Sequence, residues 1–160
     1  MSGTQIDLDE GVYVVIYRYS SSAPFTGTDG DDVINNFEVG KDKLQLIDTD
    51  AANPAEAIAT LVASSADDFL MTLIHDAGAD TIAGNADDNF TSATLKFGAN
   101  TVTVNFASAV NAALVGDGTH TGNYVIDNSE LVAHFDTFEN LFGDDIIEFI
   151  TTNNVSFEIA

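Results

Sequence analysis

The spacing of apolar and polar residues predicts a chain built mainly from short β-strands. Residues 11–19 are rich in β-branched and aromatic side chains, and residues 101–106 alternate strictly between polar and apolar ones. Further strands are predicted at residues 33–37, 43–47, 69–74, 93–97 and 124–126. We therefore expect a mainly β fold, either a sandwich or a short β-solenoid, with one or two short helices.

Two short helices are predicted between these strands. Pro54 is suited to the first helical turn, and apolar residues recur at helical spacing across residues 55–65. Asn128 or Ser129 is suited to cap a second helix. The last residues, 155–160, alternate again and predict a final strand.

The charge of the chain limits the ions and partners that it is expected to bind. The 160 residues carry 26 acidic and four basic side chains, for a formal net charge of −22, yet 45% of them are hydrophobic. That hydrophobic content argues against simple disorder, but such a charge opposes compaction through self-repulsion. Divalent cations would offset it, and so would a high-salt cytoplasm. Nucleic acid and anionic membranes are not expected partners, because both require basic patches.

Length and targeting signals set further expectations. A chain of 160 residues is expected to form a single domain, with residues 120–160 as a small appendage in an alternative division. The sequence has no cysteine, so disulfides contribute nothing. Residues 1–7 contain neither a basic region nor an apolar run, and the chain has no apolar stretch long enough to span a membrane. Neither a Sec signal nor a membrane span is therefore expected.

A glycine- and aspartate-rich stretch stands before the strand at residues 33–37. Residues 27–35 fit the calcium-binding nonapeptide G-G-x-G-x-D-x-U-x except at its second glycine, which is Thr28. Glycines allow positive φ and let carbonyl oxygens turn inward, while Asp32 supplies a charged oxygen. Calcium takes six to eight such oxygen ligands. The clustering of aspartates in Gly-rich loops favours calcium over the halophile interpretation.

The continuation of this stretch resembles the repeats-in-toxin (RTX) family. Residues 32–46 follow D-x-I-x-x-F-x-x-G-x-D-K-[IL]-x-L, which is common in the C-terminal regions of serralysin-like proteases and other type I secretion substrates. The resemblance covers about residues 25–110. It implies a secreted, extracellular calcium-binding module that is exported through an uncleaved C-terminal signal, and it does not imply an activity. Without a tandem copy of the nonapeptide, we expect an isolated loop rather than a long roll.

A second acidic loop at residues 76–88 allows two interpretations. Gly78, Asp80 and Ile82 form half a nonapeptide, whereas Asp76, Asp80 and Asp87 fall at EF-hand-like positions without the flanking helices. Both interpretations predict an aspartate-rich calcium loop between strands. The predicted calcium ligands are Asp29, Asp31 and Asp32 of the first loop, Asp42 from outside it, and Asp76, Asp80, Asp87 and Asp88 of the second loop.

No catalytic motif is present. The three histidines lack H-E-x-x-H spacing, and the sequence contains no G-x-S-x-G, Walker or dinucleotide motif. We therefore expect a non-enzymatic structural protein that self-assembles into an extracellular matrix, filament or surface layer. The alternative is a monomeric calcium-dependent adhesion module for a glycan or cell surface. The aromatic strand at residues 12–19 is either an edge that accepts another chain or a central strand.

Overall fold

The structure, a computed structural model, describes residues 3–19, 31–48, 69–78, 80–81, 88–97, 100–111 and 122–143. Its strands are β1 (Gln5–Asp7), β2 (Val14–Tyr19), β3 (Asp31–Phe37), β4 (Lys43–Asp48), β5 (Phe69–Asp76), β6 (Asn89–Phe97), β7 (Asn100–Asn111) and β8 (Tyr124–Asp127). A 3₁₀-helix (Leu131–His134) leads into the α-helix α1 (Phe135–Phe142). Strands predominate among the described residues, which confirms the mainly β fold.

Six strands form one mixed sheet in the order β1-β3-β7-β6-β5-β8. Strands β1, β3 and β7 run parallel to one another, while β7, β6, β5 and β8 are paired antiparallel. The other two described strands, β2 and β4, pair in parallel as a separate two-stranded sheet.

Two strand–turn–strand units are stacked on each other. β1 leads into β2 and β3 leads into β4, and β1 lies on β3 while β2 lies on β4, with Gln5 opposite Val33 and Val14 opposite Lys43. This parallel stacking is the arrangement of successive coils in a β-solenoid. The sheet then continues through β7, β6, β5 and β8, which do not repeat the coil.

The central strands agree with their sequence patterns. β6 and β7 form the antiparallel hairpin expected from residues 93–106. Val102 and Val104 of β7 are buried while Thr101 and Thr103 are partly exposed, as the alternation predicts. Met71 and Leu73 of β5 are fully buried, which agrees with the expected buried strand.

The core lies on the inner face of the large sheet, where the turn after β3 and the helix α1 meet. The ring of Phe37 packs edge-to-face on that of Phe142, with centroids 6.0 Å apart, and both side chains are fully buried. Leu44 of β4 joins them. Full burial of such side chains stabilises the fold by about 1.5–3 kcal/mol each. α1 is thereby fixed against the β3–β4 unit.

The expected second helix begins later than its caps suggested. Asp127 ends β8, and its Oδ1 accepts hydrogen bonds from the backbone N–H and the hydroxyl of Ser129 and from the N–H of Glu130. The carboxylate of Asp127 therefore holds the turn that leads into the 3₁₀-helix. The predicted helix at residues 55–65 and the predicted strand at residues 155–160 lie outside the described residues. Within the described part of the chain, none of the helices has the length and apolar character needed to cross a membrane.

Candidate functional site

The first predicted calcium loop runs directly into a strand. Asp31 and Asp32 are the first two residues of β3 rather than part of the loop before it. Thr101 Oγ1 donates to Asp31 Oδ1 at 2.6 Å, and the backbone N–H of Thr4 donates to Asp32 Oδ1 at 2.6 Å. The Asp31 carboxylate thus links β3 to β7. The Asp32 carboxylate links β3 to the residue that precedes β1. Because successive side chains of a strand point to opposite faces, the two carboxylates diverge.

Asp42 holds the turn between β3 and β4. Its side chain is only 2% exposed, and its two oxygens accept the backbone N–H of Tyr13 at 3.0 Å and that of Glu38 at 2.8 Å. Lys43 N–H in turn donates to the carbonyl oxygen of Tyr13 at 2.8 Å. Asp42 therefore fastens the turn after β3 to the residue that precedes β2. This contact supports the stacking of the two units.

The RTX-like positions after Asp32 have a structural basis. Ile34, Phe37 and Leu44 are all buried core side chains. Gly40 has a φ of +82°, a conformation that residues with a Cβ rarely adopt. Beside it, the Lys41 ammonium contacts Glu38 Oε2 at 2.6 Å, and this hydrogen bond raises the pKa of Lys41. Together with the buried Asp42, these positions specify a tight turn between two sheets.

The second predicted loop connects two paired strands. β5 ends at Asp76 and β6 begins at Asn89, and these two residues lie opposite each other in the antiparallel pair. The flanks are therefore strands, as expected, and not the helices of an EF-hand. Asp76 Oδ1 accepts the N–H of Gly78 at 2.9 Å, while Asp80 is exposed. Gly78 and Thr81 both have positive φ, at +70° and +61°.

A buried His75–Asp88 pair lies at the base of this loop. Asp88 is fully buried, and its Oδ2 lies 3.3 Å from His75 Nε2. The His75 ring also packs edge-to-face on Phe90, with centroids 6.3 Å apart, and the His75 side chain is 9% exposed. The sequence favoured a strand-end role for His75, and its contact with Asp88 was not predicted. A buried carboxylate favours a charged or hydrogen-bonding neighbour, but the burial of Asp88 has no local signal in the sequence, so the pair could not be predicted.

The described aspartates do not converge on one point. In the parts of the chain that the structure describes, no group of three or more histidine, aspartate or glutamate side chains is arranged to hold a metal ion. Asp29 and Asp87, two of the predicted ligands, lie outside the described residues. Calcium binding by the two loops stays a prediction.

A row of hydrogen-bonded polar side chains crosses the outer face of β1, β3 and β7. Asn35 Nδ2 donates to Asp7 Oδ1 at 2.6 Å, and Asn105 Nδ2 donates to Asn35 Oδ1 at 2.7 Å. The bond from Asn35, followed by that from Gln5, lowers the pKa of Asp7. This row fixes the register of β1 on β3, and alternation of residues alone could not have located it.

β2 forms an edge in the described part of the structure, where its one partner strand is β4. The bond from Lys43 N–H to the Tyr13 carbonyl fixes which backbone groups face β4. In a parallel ladder with Val14 opposite Lys43, the N–H groups of Val15 and Tyr17 point toward β4. Those of Val14, Ile16 and Arg18 therefore point away from β4, to the other edge.

The composition of β2 is unusual for an edge. Acidic residues occur in β1, β3, β4, β5 and β8 but are absent from β2, β6 and β7. The other described edge strands, β1, β4 and β8, each carry an acidic residue. Among the described edge strands, β2 alone is free of acidic residues. Natural edge strands are usually protected from association by charges, prolines or bulges.

No protein-family model, curated protein or solved structure matches this chain.

Proposed function

We propose that this protein is a secreted, non-catalytic calcium-binding subunit that self-assembles outside the cell into a filament, matrix or surface layer. The observation that carries the proposal is the β2 edge, which combines an apolar, acid-free sequence with outward backbone donors and acceptors. Such an edge accepts a further strand. The net charge of −22 keeps copies apart until it is neutralised.

Calcium supplies the neutralisation in this proposal. The expected ligands lie before and at the start of β3, in the turn after β3, and at the ends of and within the connection from β5 to β6. The RTX resemblance implies export through type I secretion into a calcium-rich medium. Low free calcium inside the cell would leave these loops unoccupied. Strand addition that does not close on itself then yields filaments.

Calcium-dependent light scattering and electron microscopy test this proposal with Ile16→Pro. Proline at residue 16 removes an N–H that points away from β4, so the β2–β4 pair is retained. We expect wild-type protein to form filaments at millimolar calcium and Ile16→Pro to stay monomeric. The control is Val12→Pro, which places proline at an exposed residue before the strand and is expected to assemble normally. Wild-type protein that stays monomeric at high concentration in calcium would contradict the proposal.

A cleft favours the alternative of a monomeric adhesion module. It has a volume of about 370 Å³ and is lined by Glu38 and Val39 of the turn after β3 and by residues 107–110 of β7. Ala107, Ser108 and Ala109 are exposed because β7 changes register against β6 at this point. On this view, Ser108→Trp fills the cleft and abolishes binding on a glycan array, while Ile16→Pro leaves binding unchanged.

A further inference from the structure

The outer face of the six-stranded sheet carries a patch whose charge differs from that of the rest of the chain. Where β6 and β7 pair without a break in register, their outward residues are Ser92, Thr94, Lys96, Thr101, Thr103 and Asn105. These six residues, called the outer patch below, are all partly exposed and alternate with buried core residues. Acidic residues outnumber basic ones by 26 to four in the chain, yet the charge within the outer patch is the positive charge of Lys96.

The neighbouring strands extend the outer patch with uncharged side chains. Thr72 of β5 lies opposite Thr94, which lies opposite Thr103, and Val33 of β3 lies opposite Thr103 on the other side. One uncharged row of partly exposed side chains therefore crosses four strands. The carboxylates on the same face stand at its rim, at Asp7, Asp31 and Asp127.

Polar side chains in and beside the outer patch already bond to one another. Thr101 Oγ1 donates to Asp31 Oδ1, and Asn105 Nδ2 donates to Asn35 Oδ1. Covering these groups removes fewer hydrogen bonds to water than covering unpaired groups would. A surface with few charges and with paired polar groups has the composition of an interface core, from which charged residues are depleted.

A second copy of this chain is the partner that the charge pattern fits. Each copy carries a net charge of −22, so copies can touch only through surfaces that keep their carboxylates apart. Two outer patches placed face to face meet through hydroxyl, amide and methyl groups, while the acidic residues stay at the rims. The paired amides offer fewer free donors to a sugar, which favours a second copy over a glycan at this face.

We propose that the outer patch packs face to face on the outer patch of a second copy, as a twofold sheet-on-sheet contact. This inference rests on the proposed function and names a lateral contact between the assembling copies. Four strands with three outward positions each cover roughly 400 Å² per copy, about half of what a stable interface buries on each partner. The contact is therefore weak between two free copies and becomes effective when filaments repeat it many times.

Sedimentation equilibrium of Ile16→Pro tests the contact apart from strand addition at β2. In about 1 M sodium chloride, repulsion between copies is screened beyond about 3 Å. We expect this variant to form dimers as its concentration rises, with a dissociation constant on the order of a millimolar for so small a contact. Wild-type filaments in calcium should in turn associate side by side, with sheets about 10 Å apart in fibre diffraction.

A charge at the centre of the outer patch should disrupt the contact. In the Ile16→Pro background, Thr94→Asp brings two carboxylates together near the twofold axis and should weaken dimerisation at least about tenfold. Thr94→Ser stays uncharged and should dimerise normally. Ala133→Asp adds the same charge at an exposed residue of the 3₁₀-helix, outside the outer patch, and should also dimerise normally.

A charge-swapped mixture separates a lost contact from a damaged fold. Thr94→Lys mixed with Thr94→Asp places opposite charges across the axis and should restore dimers that Thr94→Asp alone does not form. Circular dichroism establishes that each variant is folded. Thr103→Asp, on the neighbouring strand, replaces Thr94→Asp in the comparison if the latter does not fold.

The remaining outcomes each decide the question. Ile16→Pro that stays monomeric at millimolar concentration in high salt would overturn the inference, and so would dimers that neither Thr94→Asp nor Thr103→Asp weakens. Loss of glycan binding in Thr94→Asp without any change in self-association would assign the face to a glycan and also overturn it. Wild-type filaments with a monomeric Ile16→Pro would keep the proposed function and reject the face contact, whereas dimers of the outer patch without filaments would do the reverse.

Discussion

The buried carboxylate of Asp42 stabilises the fold because it binds backbone N–H groups instead of water. Burial of a charged group is unfavourable unless hydrogen bonds replace its water, and here two backbone N–H groups do so. In this turn, an aspartate at position 42 is required for geometric reasons, whether or not calcium is bound. The RTX-like D-K-L at residues 42–44 therefore has a local structural role that is separate from its resemblance to a calcium-binding module.

Substitution Asp42→Ala should destabilise the protein by about 2–4 kcal/mol, because two buried or partly buried N–H groups lose their acceptors. Chemical denaturation measures this loss. Asp9→Ala removes an equal charge from an exposed residue and should change the free energy of unfolding by less than about 0.5 kcal/mol. A structural Asp42 gives the same loss in chelator and in calcium, whereas a loss that grows with calcium would make Asp42 a ligand.

The hydrogen bonds to the Asp127 carboxylate predict that the turn after β8 is less stable at low pH. The hydroxyl of Ser129, followed by its N–H, lowers the pKa of Asp127 by binding the charged form. The stabilisation from these bonds is thus fully present above the unfolded-state pKa and is lost as pH falls through the lower folded-state value. In Ser129→Ala the pKa of Asp127 should rise toward its ordinary value, as followed by NMR titration. An unchanged pKa would show that the side-chain bond is not the main cause.

At the scale of elements, the turn after β3 depends on the backbone conformation of Gly40. A Cβ at Gly40 would meet no atom within 4 Å, so only its φ of +82° opposes a side chain there. Gly40→Ala should therefore lower the free energy of unfolding by about 1 kcal/mol. Gly122→Ala is the matched control, since that site is also open and its φ lies outside the left-handed region. Equal stabilities of the two variants would contradict the backbone explanation.

The sequence predicted strands better than it predicted their partners. Alternation located β7, and apolar content located β2 and β5, because burial of one face or both leaves a local pattern. The parallel pairing of β3 with β7 places Asp31 opposite Thr101, a separation that no local pattern encodes. β1 has only three residues, too few for a periodic signal.

The candidate site was predictable only in part, for a related reason. Glycine and aspartate spacing located both acidic loops, and strands do flank the second of them. The burial of Asp42 and of Asp88 depends on elements distant in sequence, so composition alone suggested solvent-facing or metal-bound carboxylates instead. The strand start at Asp31 was missed because aspartate is rare in strands. Its bond to Thr101 compensates for that low propensity.

At the scale of the whole molecule, the excess of acidic residues sets the conditions for folding. Four basic residues cannot neutralise 26 acidic ones, and the described structure pairs Lys41 with Glu38 locally. The outward charges repel one another over about 10 Å at 0.1 M ionic strength and farther in dilute salt. Both bound divalent ions and general screening can relieve this repulsion, and the two act at different concentrations.

Calcium and sodium chloride should therefore differ in their effect on thermal unfolding. An ion that binds only the folded state stabilises it by about 2.7 kcal/mol at a hundredfold excess over its Kd, whereas screening at the same low ionic strength contributes little. We expect millimolar calcium to raise the Tm by several degrees over chelated protein, and sodium chloride matched in ionic strength to leave it nearly unchanged. Magnesium is the control for divalent charge, since it demands near-ideal octahedral geometry at shorter distances than calcium and tends to keep several of its waters. If molar sodium chloride stabilised the protein as well as calcium, and millimolar calcium had no effect, the acidity would instead be an adaptation to high salt. Calcium-bound loops would then have no part in assembly.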